Sequence, residues 1–309
     1  MEMDEKILVP LDGSELAEAA PPYADLAAKF VSEIILVNVT EIAKGAQKDT
    51  NLIYLRKIAE SIEERATGYS GKPGPTPALE VKSVILSGSP AEQIVDYADA
   101  ENIDLIFMAT HGRSGIKRWA LGSVADKVVR ATAKPVLLIR AKGGQPEVRK
   151  RGIFDKVLVP LDGSKEGEAV LPYIAQIASR LKSQVILLQV LARGYGFLGQ
   201  TVDLTPDQIK SDKAYATTYL NGIASRLKNK GITVVTEART SAQAIFSNPA
   251  EDILQFAEEH QVDTVAMTTH GRSGVGREVF GSVAERVLRE GNAPLLLVRS
   301  RGAKAEQHK

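Results

Sequence analysis

The chain has 309 residues, enough for about two domains with cores of their own, and 44% of them are hydrophobic against 25% charged, which excludes a disordered polymer. Lys and Arg total 39 against 38 Asp and Glu, a formal charge of +1, and no basic block supplies the footprint of a nucleic-acid binder. The absence of cysteine removes disulfides, thiolate nucleophiles and cysteine-type zinc sites together.

The opening residues, MEMDEKILVPLDGSE, carry no positively charged leader before an apolar stretch. No run approaches about 18 apolar residues, so a cytoplasmic protein without signal peptide, membrane span or membrane partner is expected. From residue 6 onward, short apolar runs alternate with longer helical patterns. Strands are expected over 6–11, 33–39, 79–86, 104–110 and 135–140. A helix over 14–29 opens with Ser14, a good capping residue; another follows Ser89-Pro90, with proline at its first position; a third begins at Ser123. After a polar stretch, AKGGQPEVRKRG, the scheme returns with strands near 156–161, 184–190, 233–238, 263–268 and 294–299. Runs such as EIILVNV and DLIFMAT are almost continuously apolar, as strands covered by helices on both faces should be, so the class is α/β with a parallel sheet.

The second set is a copy of the first. Residues 6–14 (KILVPLDGS) match 156–164 (KVLVPLDGS) at 8 of 9 positions, and 108–140 match 267–299 at 18 of 33. The offset grows from 150 to 159, so the second half carries a net insertion of nine residues, expected over 193–207. Two domains, 1–145 and 152–301, follow, and a five-stranded order 3-2-1-4-5 would set strands one and four side by side where the order reverses, the place where open sheets bind ligands.

Two loops at the carboxyl ends of those strands recur nearly unchanged. One is Pro10-Leu11-Asp12-Gly13-Ser14, and the other runs from Thr110-His111-Gly112-Arg113-Ser114-Gly115 to Gly122-Ser123-Val124-Ala125. Glycines admit a ligand close to the backbone, and the amides opening the following helix favour an anion. Arg113, Lys117 and Arg118, with Arg272 and Arg277 in the second copy, supply positive charge. Asp12 and Asp162 suit ribose hydroxyls, an adenine amino group or a metal-bound water. Plainer readings stand beside these. Ser123-x-x-Asp126 and Ser282-x-x-Glu285 read as capping boxes, and the glycines as turn residues. His111 and His270 have no Ser or Asp partner at recognisable spacing, which favours shaping the loop over general-base work. Gly194 to Gly199 spell G-x-G-x-x-G without a helix directly behind, and 271–277 fall one residue short of a P-loop, so neither motif is taken as a site.

These residues, V-P-L-D-G-S at the first strand and T-H-G-R-S-G-x6-G-S-V-A at the fourth, resemble the universal stress protein family in a tandem form covering nearly the whole chain. Its nucleotide-binding members carry G-x2-G-x9-G-[ST]; here Gly112 and Gly122-Ser123 match, as do Gly271 and Gly281-Ser282, while Ala109 and Thr268 replace the first glycine. The resemblance implies two Rossmann-like domains of the adenine nucleotide alpha hydrolase type. Pro10, Asp12 and Val39 would flank adenosine; Ala109, Thr110, His111, Gly112, Arg113, Ser114 and Gly115, with Gly122, Ser123, Val124 and Ala125, would wrap the phosphates. Pro160, Asp162 and Val190, then Thr268, Thr269, His270, Gly271, Arg272, Ser273 and Gly274, with Gly281, Ser282, Val283 and Ala284, match them. Branched Thr268 crowds the backbone more than Ala109, so the first site is expected to be the stronger. The ligand implied is ATP, or AMP or ADP, with Mg2+ compatible, and domains pairing through their last strands within the chain, homodimerisation remaining open. The function implied is a nucleotide-binding stress-response regulator without dedicated catalysis. A slow metal-dependent ATP hydrolase and a nucleotide-free interaction module are the alternatives.

Overall fold

The computed structural model describes residues 6–27, 31–41, 46–69, 79–110, 121–140, 152–191, 205–241, 249–269 and 280–300. The chain divides into two compact units, Met1–Ile153 and Phe154–Lys309. In the first, β1 (Lys6–Pro10), α1 (Pro21–Ala27), β2 (Glu33–Thr40), α2 (Ala46–Tyr69), β3 (Glu80–Ser87), α3 (Pro90–Ala100), β4 (Leu105–Ala109), α4 (Ser123–Ala131) and β5 (Val136–Ile139) alternate along the chain. The strands lie parallel in the order β3-β2-β1-β4-β5. The second unit repeats this with β6 (Lys156–Pro160), α5 (Leu171–Leu181), β7 (Gln184–Leu191), α6 (Pro206–Lys228), β8 (Thr233–Thr240), α7 (Pro249–Glu259), β9 (Thr264–Thr268), α8 (Ser282–Glu290) and β10 (Leu295–Val298), ordered β8-β7-β6-β9-β10.

The apolar runs explain the sheet. Leu8, Val9, Ile34, Ile35, Leu36, Ile106 and Phe107 are fully buried, as strands sandwiched between helices require. Burying each such side chain contributes roughly 1.5–3 kcal/mol. Helices present matching stripes: Ala91, Ile94 and Ala98 of α3, and Ala125, Val128 and Val129 of α4, recur at helical spacing and are buried. One polar device is repeated at the amino ends of the central strands. The Asp104 carboxylate accepts from the Lys6 backbone N–H at 3.1 Å, and Asp263 accepts from that of Lys156 at 2.9 Å, which pins each first strand beside its fourth.

Two expectations are corrected by the strands and helices. The helix expected over 14–29 is a 3-10 turn, Ala17–Ala19, followed by α1 from Pro21. Pro21 and Pro22 lack the N–H groups that a continuous helix would need there, so the chain starts afresh with prolines in its first turn. The nine-residue insertion does not sit over 193–207. The stretch between β7 and β8, 192–232, is only two residues longer than its counterpart 41–79, whereas eight residues, 241–248, join β8 to α7 where two, 88–89, join β3 to α3.

Candidate functional site

The site begins where β1 ends. Leu11 donates its backbone N–H to Val37 at 2.8 Å, and the chain then turns through Asp12-Gly13-Ser14. Gly13 sits at φ 78°, in the left-handed region that favours glycine. Asp12 Oδ1 accepts from the Ser14 N–H at 3.0 Å and from the Ser14 hydroxyl at 2.6 Å. Ser14 Oγ in turn accepts from the Ala17 N–H at 3.1 Å, so the serine caps the 3-10 turn while fixing the aspartate. The second unit repeats the device: Gly163 at φ 86°, Ser164 to Asp162 at 3.0 and 2.6 Å, Gly167 N–H to Ser164 Oγ at 3.0 Å.

Across the crevice, β4 ends at Ala109. Thr110 donates to Ile139 at 2.9 Å, and Gly122 donates to Thr110 at 2.7 Å, so the chain departs and returns across one backbone bond. Gly122 is the N-cap of α4, at φ −60° and ψ 148°, and among the described residues no side chain caps the helix. This overturns the capping-box reading of Ser123, which lies one residue inside the helix. Asp126 pairs with Arg130 Nε at 2.8 and 2.9 Å. The first intrahelical bond runs from Asp126 to Gly122, leaving the amides of Ser123, Val124 and Ala125 to face outward, as the opening of any helix does. In the second unit Gly281 caps α8 in the same way, with Gly281 donating to Thr269 at 2.8 Å and Thr269 to Val298 at 3.0 Å.

These elements enclose a cavity of about 650 Å³ in the first unit, within the range of small-molecule sites. It brings together Pro10, Asp12, Val39, Ala109, Thr110, Gly122, Ser123, Val124 and Ala125, nine of the expected residues. His111, Gly112, Arg113, Ser114 and Gly115, and the cations Lys117 and Arg118, lie outside the described residues. In the second unit Pro160, Asp162, Val190, Thr268, Thr269, Gly281, Ser282, Val283 and Ala284 occupy the corresponding strand ends and helix start. His270, Gly271, Arg272, Ser273, Gly274 and Arg277 lie outside the described residues, as do 194–199.

The cavity also has walls that the motifs do not contain. Asn38 and Asn51 line it, with Thr40, Glu41, Pro90, Ile94 and Met108. Asn38, 3% exposed, donates Nδ2 to the Leu11 carbonyl at 2.7 Å, and its Oδ1 accepts from Asn51 Nδ2 of α2 at 2.9 Å. Asn38 has a sequence signal, a lone amide inside the apolar run EIILVNV; Asn51 has none, because the contact joins a strand to a helix. The second copy has Gln189 at the Asn38 position, and among the described residues its Oε1 is buried without a hydrogen-bond partner.

With the geometry in view, comparison with known proteins identifies the fold's relatives. The universal stress protein family model matches residues 3–140 and again 153–299. A universal stress protein of Methanocaldococcus jannaschii is 30% identical over 157 residues, covering 45% of this chain and 97% of that one. The crystal structure of a universal stress protein from Archaeoglobus fulgidus superposes with a TM-score of 0.65 at 21% identity, over 96% of this chain and 99% of its own. Another solved universal stress protein, in complex with cAMP, is 23% identical over 45% of this chain and 98% of its own, with a TM-score of 0.33. Matched twice over its length, the chain belongs to the universal stress protein family in a tandem, two-domain form.

Proposed function

We propose that the first crevice binds an adenine nucleotide, ATP or its di- or monophosphate, and that the chain works as a nucleotide-responsive regulator with no catalysis of its own. One observation carries the reading: a helix start that no side chain caps among the described residues opens into a cavity of about 650 Å³ opposite a carboxylate held in place by Ser14. The amides that open the helix and the positive end of its dipole suit phosphates, each anion there gaining about 0.3–1 kcal/mol, more where water is excluded. Asp12, on the opposite lip, suits hydroxyl or amino donors of a nucleoside. Among the described residues no three His, Asp or Glu side chains converge to hold a metal. The crevice of the second unit, built on Asp162 and Gly281, is proposed to take the same class of ligand.

Calorimetric titration of ATP into protein stripped of co-purified nucleotide tests this. Binding in the micromolar to submillimolar range is expected. Gly122→Glu, which sets a carboxylate at the helix start, should weaken the first event by about a hundredfold, or about 2.7 kcal/mol. No binding up to millimolar ATP, together with no nucleotide released on denaturation, would overturn the reading.

A further inference from the structure

We infer that Asn51 makes the first crevice discriminate adenine from hypoxanthine and guanine. The inference rests on the adenine-nucleotide reading of that crevice and adds to it the residue that reads the base. A carboxamide can usually turn over and exchange its donor for its acceptor. Here it cannot, because the relay ends on a backbone carbonyl. The Leu11 oxygen only accepts, so Asn38 must direct Nδ2 to it, at 2.7 Å, and must turn Oδ1 toward α2. Asn51 must therefore donate Nδ2 to Asn38, at 2.9 Å, and its own Oδ1 is left on the side away from the relay. Asn38 is buried, so water cannot substitute for either partner without cost.

Asn51 lines the cavity, and its polarity is set before any ligand enters. Adenine presents an amino N–H next to a ring-nitrogen acceptor, the pattern that an asparagine amide reads with two hydrogen bonds. Hypoxanthine and guanine carry a carbonyl in place of that amino group. On one edge the carbonyl stands beside a second acceptor, and on the other beside an N–H in the reverse order. Matching the reverse order would require the amide to flip, and the Leu11 carbonyl forbids it. The second unit has no such relay among its described residues: Gln189 takes the place of Asn38, with its Oε1 buried and unpartnered. The discrimination belongs to the first crevice.

The test uses the whole chain carrying Gly281→Glu, so that the first crevice reports, titrated with ATP and with ITP, which differ only in the group at C6 and in the N1 proton that accompanies it. ATP should bind about tenfold or more tightly than ITP. Asn51→Leu, which leaves the buried Asn38 Oδ1 without its donor and is therefore also checked for folding by circular dichroism, should bring the ratio close to one through loss of ATP affinity. Asn38→Leu, checked for folding by circular dichroism, releases the Asn51 amide to rotate and should narrow the ratio by raising ITP affinity instead. A wild-type ratio below about threefold, within the reach of an unspecific difference of roughly 0.6 kcal/mol, or a ratio unchanged in Asn51→Leu, overturns the inference and leaves the nucleotide reading standing. Failure of both nucleotides to bind overturns both.

Discussion

At the scale of single residues, Ser14 has two duties that cannot be separated. Its hydroxyl donates to Asp12 at 2.6 Å and accepts from the Ala17 amide at 3.1 Å, so one side chain closes the turn and aims the carboxylate. Ser14→Ala should lower the stability of the free protein by about 1 kcal/mol, seen in chemical unfolding, and should also weaken ATP several-fold by calorimetry. A residue serving the turn alone would change stability and leave affinity untouched. Asp12, Gly13 and Ser14 were legible in the sequence because the internal repeat holds them identical while their surroundings drift. Asn51 was not, since its meaning depends on a strand residue 13 positions earlier and on a carbonyl farther back still. Ser123 could be misread for a physical reason: a serine ahead of Asp126 satisfies the capping pattern, and only the backbone angles reveal that Gly122 holds the cap position.

At the scale of elements, β1, β2 and β3 are joined at their amino ends by one carboxylate. Glu33 of β2 lies 3.4 Å from Lys6 of β1 and 2.6 Å from Lys82 of β3. Burial works to raise its pKa, and the hydrogen bond and charge of Lys82, together with Lys6, outweigh that and hold it below the ordinary carboxylate range. A carboxyl with a depressed folded pKa stabilises above its unfolded value, near 4.3, and loses that contribution as the pH falls through the folded value. Glu33→Gln should therefore cost roughly 1 kcal/mol at neutral pH and flatten the acid side of the stability curve below about pH 4.5, followed by urea unfolding across pH. The strands themselves were readable to within one or two residues, because an apolar run between helices has one place to go. Helix ends and loop lengths were less so. Pro21-Pro22 breaks a helix that residue composition otherwise allows. The glycine-rich stretch 193–207 looks like extra chain, yet most of the added length lies after β8, where nothing in composition marks it.

At the scale of the molecule, one fold has been written twice and edited unequally. Gln184 stands where Glu33 joins three strands, Gln189 where Asn38 anchors the amide relay, and Thr268 where Ala109 ends β4. Ser241 donates to buried Asp252 at 2.7 Å just where the second copy is longest. The two crevices should accordingly differ in strength. Full-chain titration should resolve two ATP events, the tighter lost in Gly122→Glu and the weaker in Gly281→Glu; two indistinguishable events would refute the unequal editing. At ATP concentrations about a hundredfold above the tighter dissociation constant, the first unit should gain about 2.7 kcal/mol against unfolding.

The hydrogen bond from Gly122 to Thr110, and its twin from Gly281 to Thr269, bring the two ends of each of these connections into contact whatever lies between them. Closing a loop grows costlier only slowly with its length, about 0.6 kcal/mol for each doubling. Extra sequence added between either pair of ends, on the side of the closing bond away from the residues expected to meet phosphate, would inherit a closure already made. A fluorescent insert at either point would then report on the strand ends that frame the proposed site.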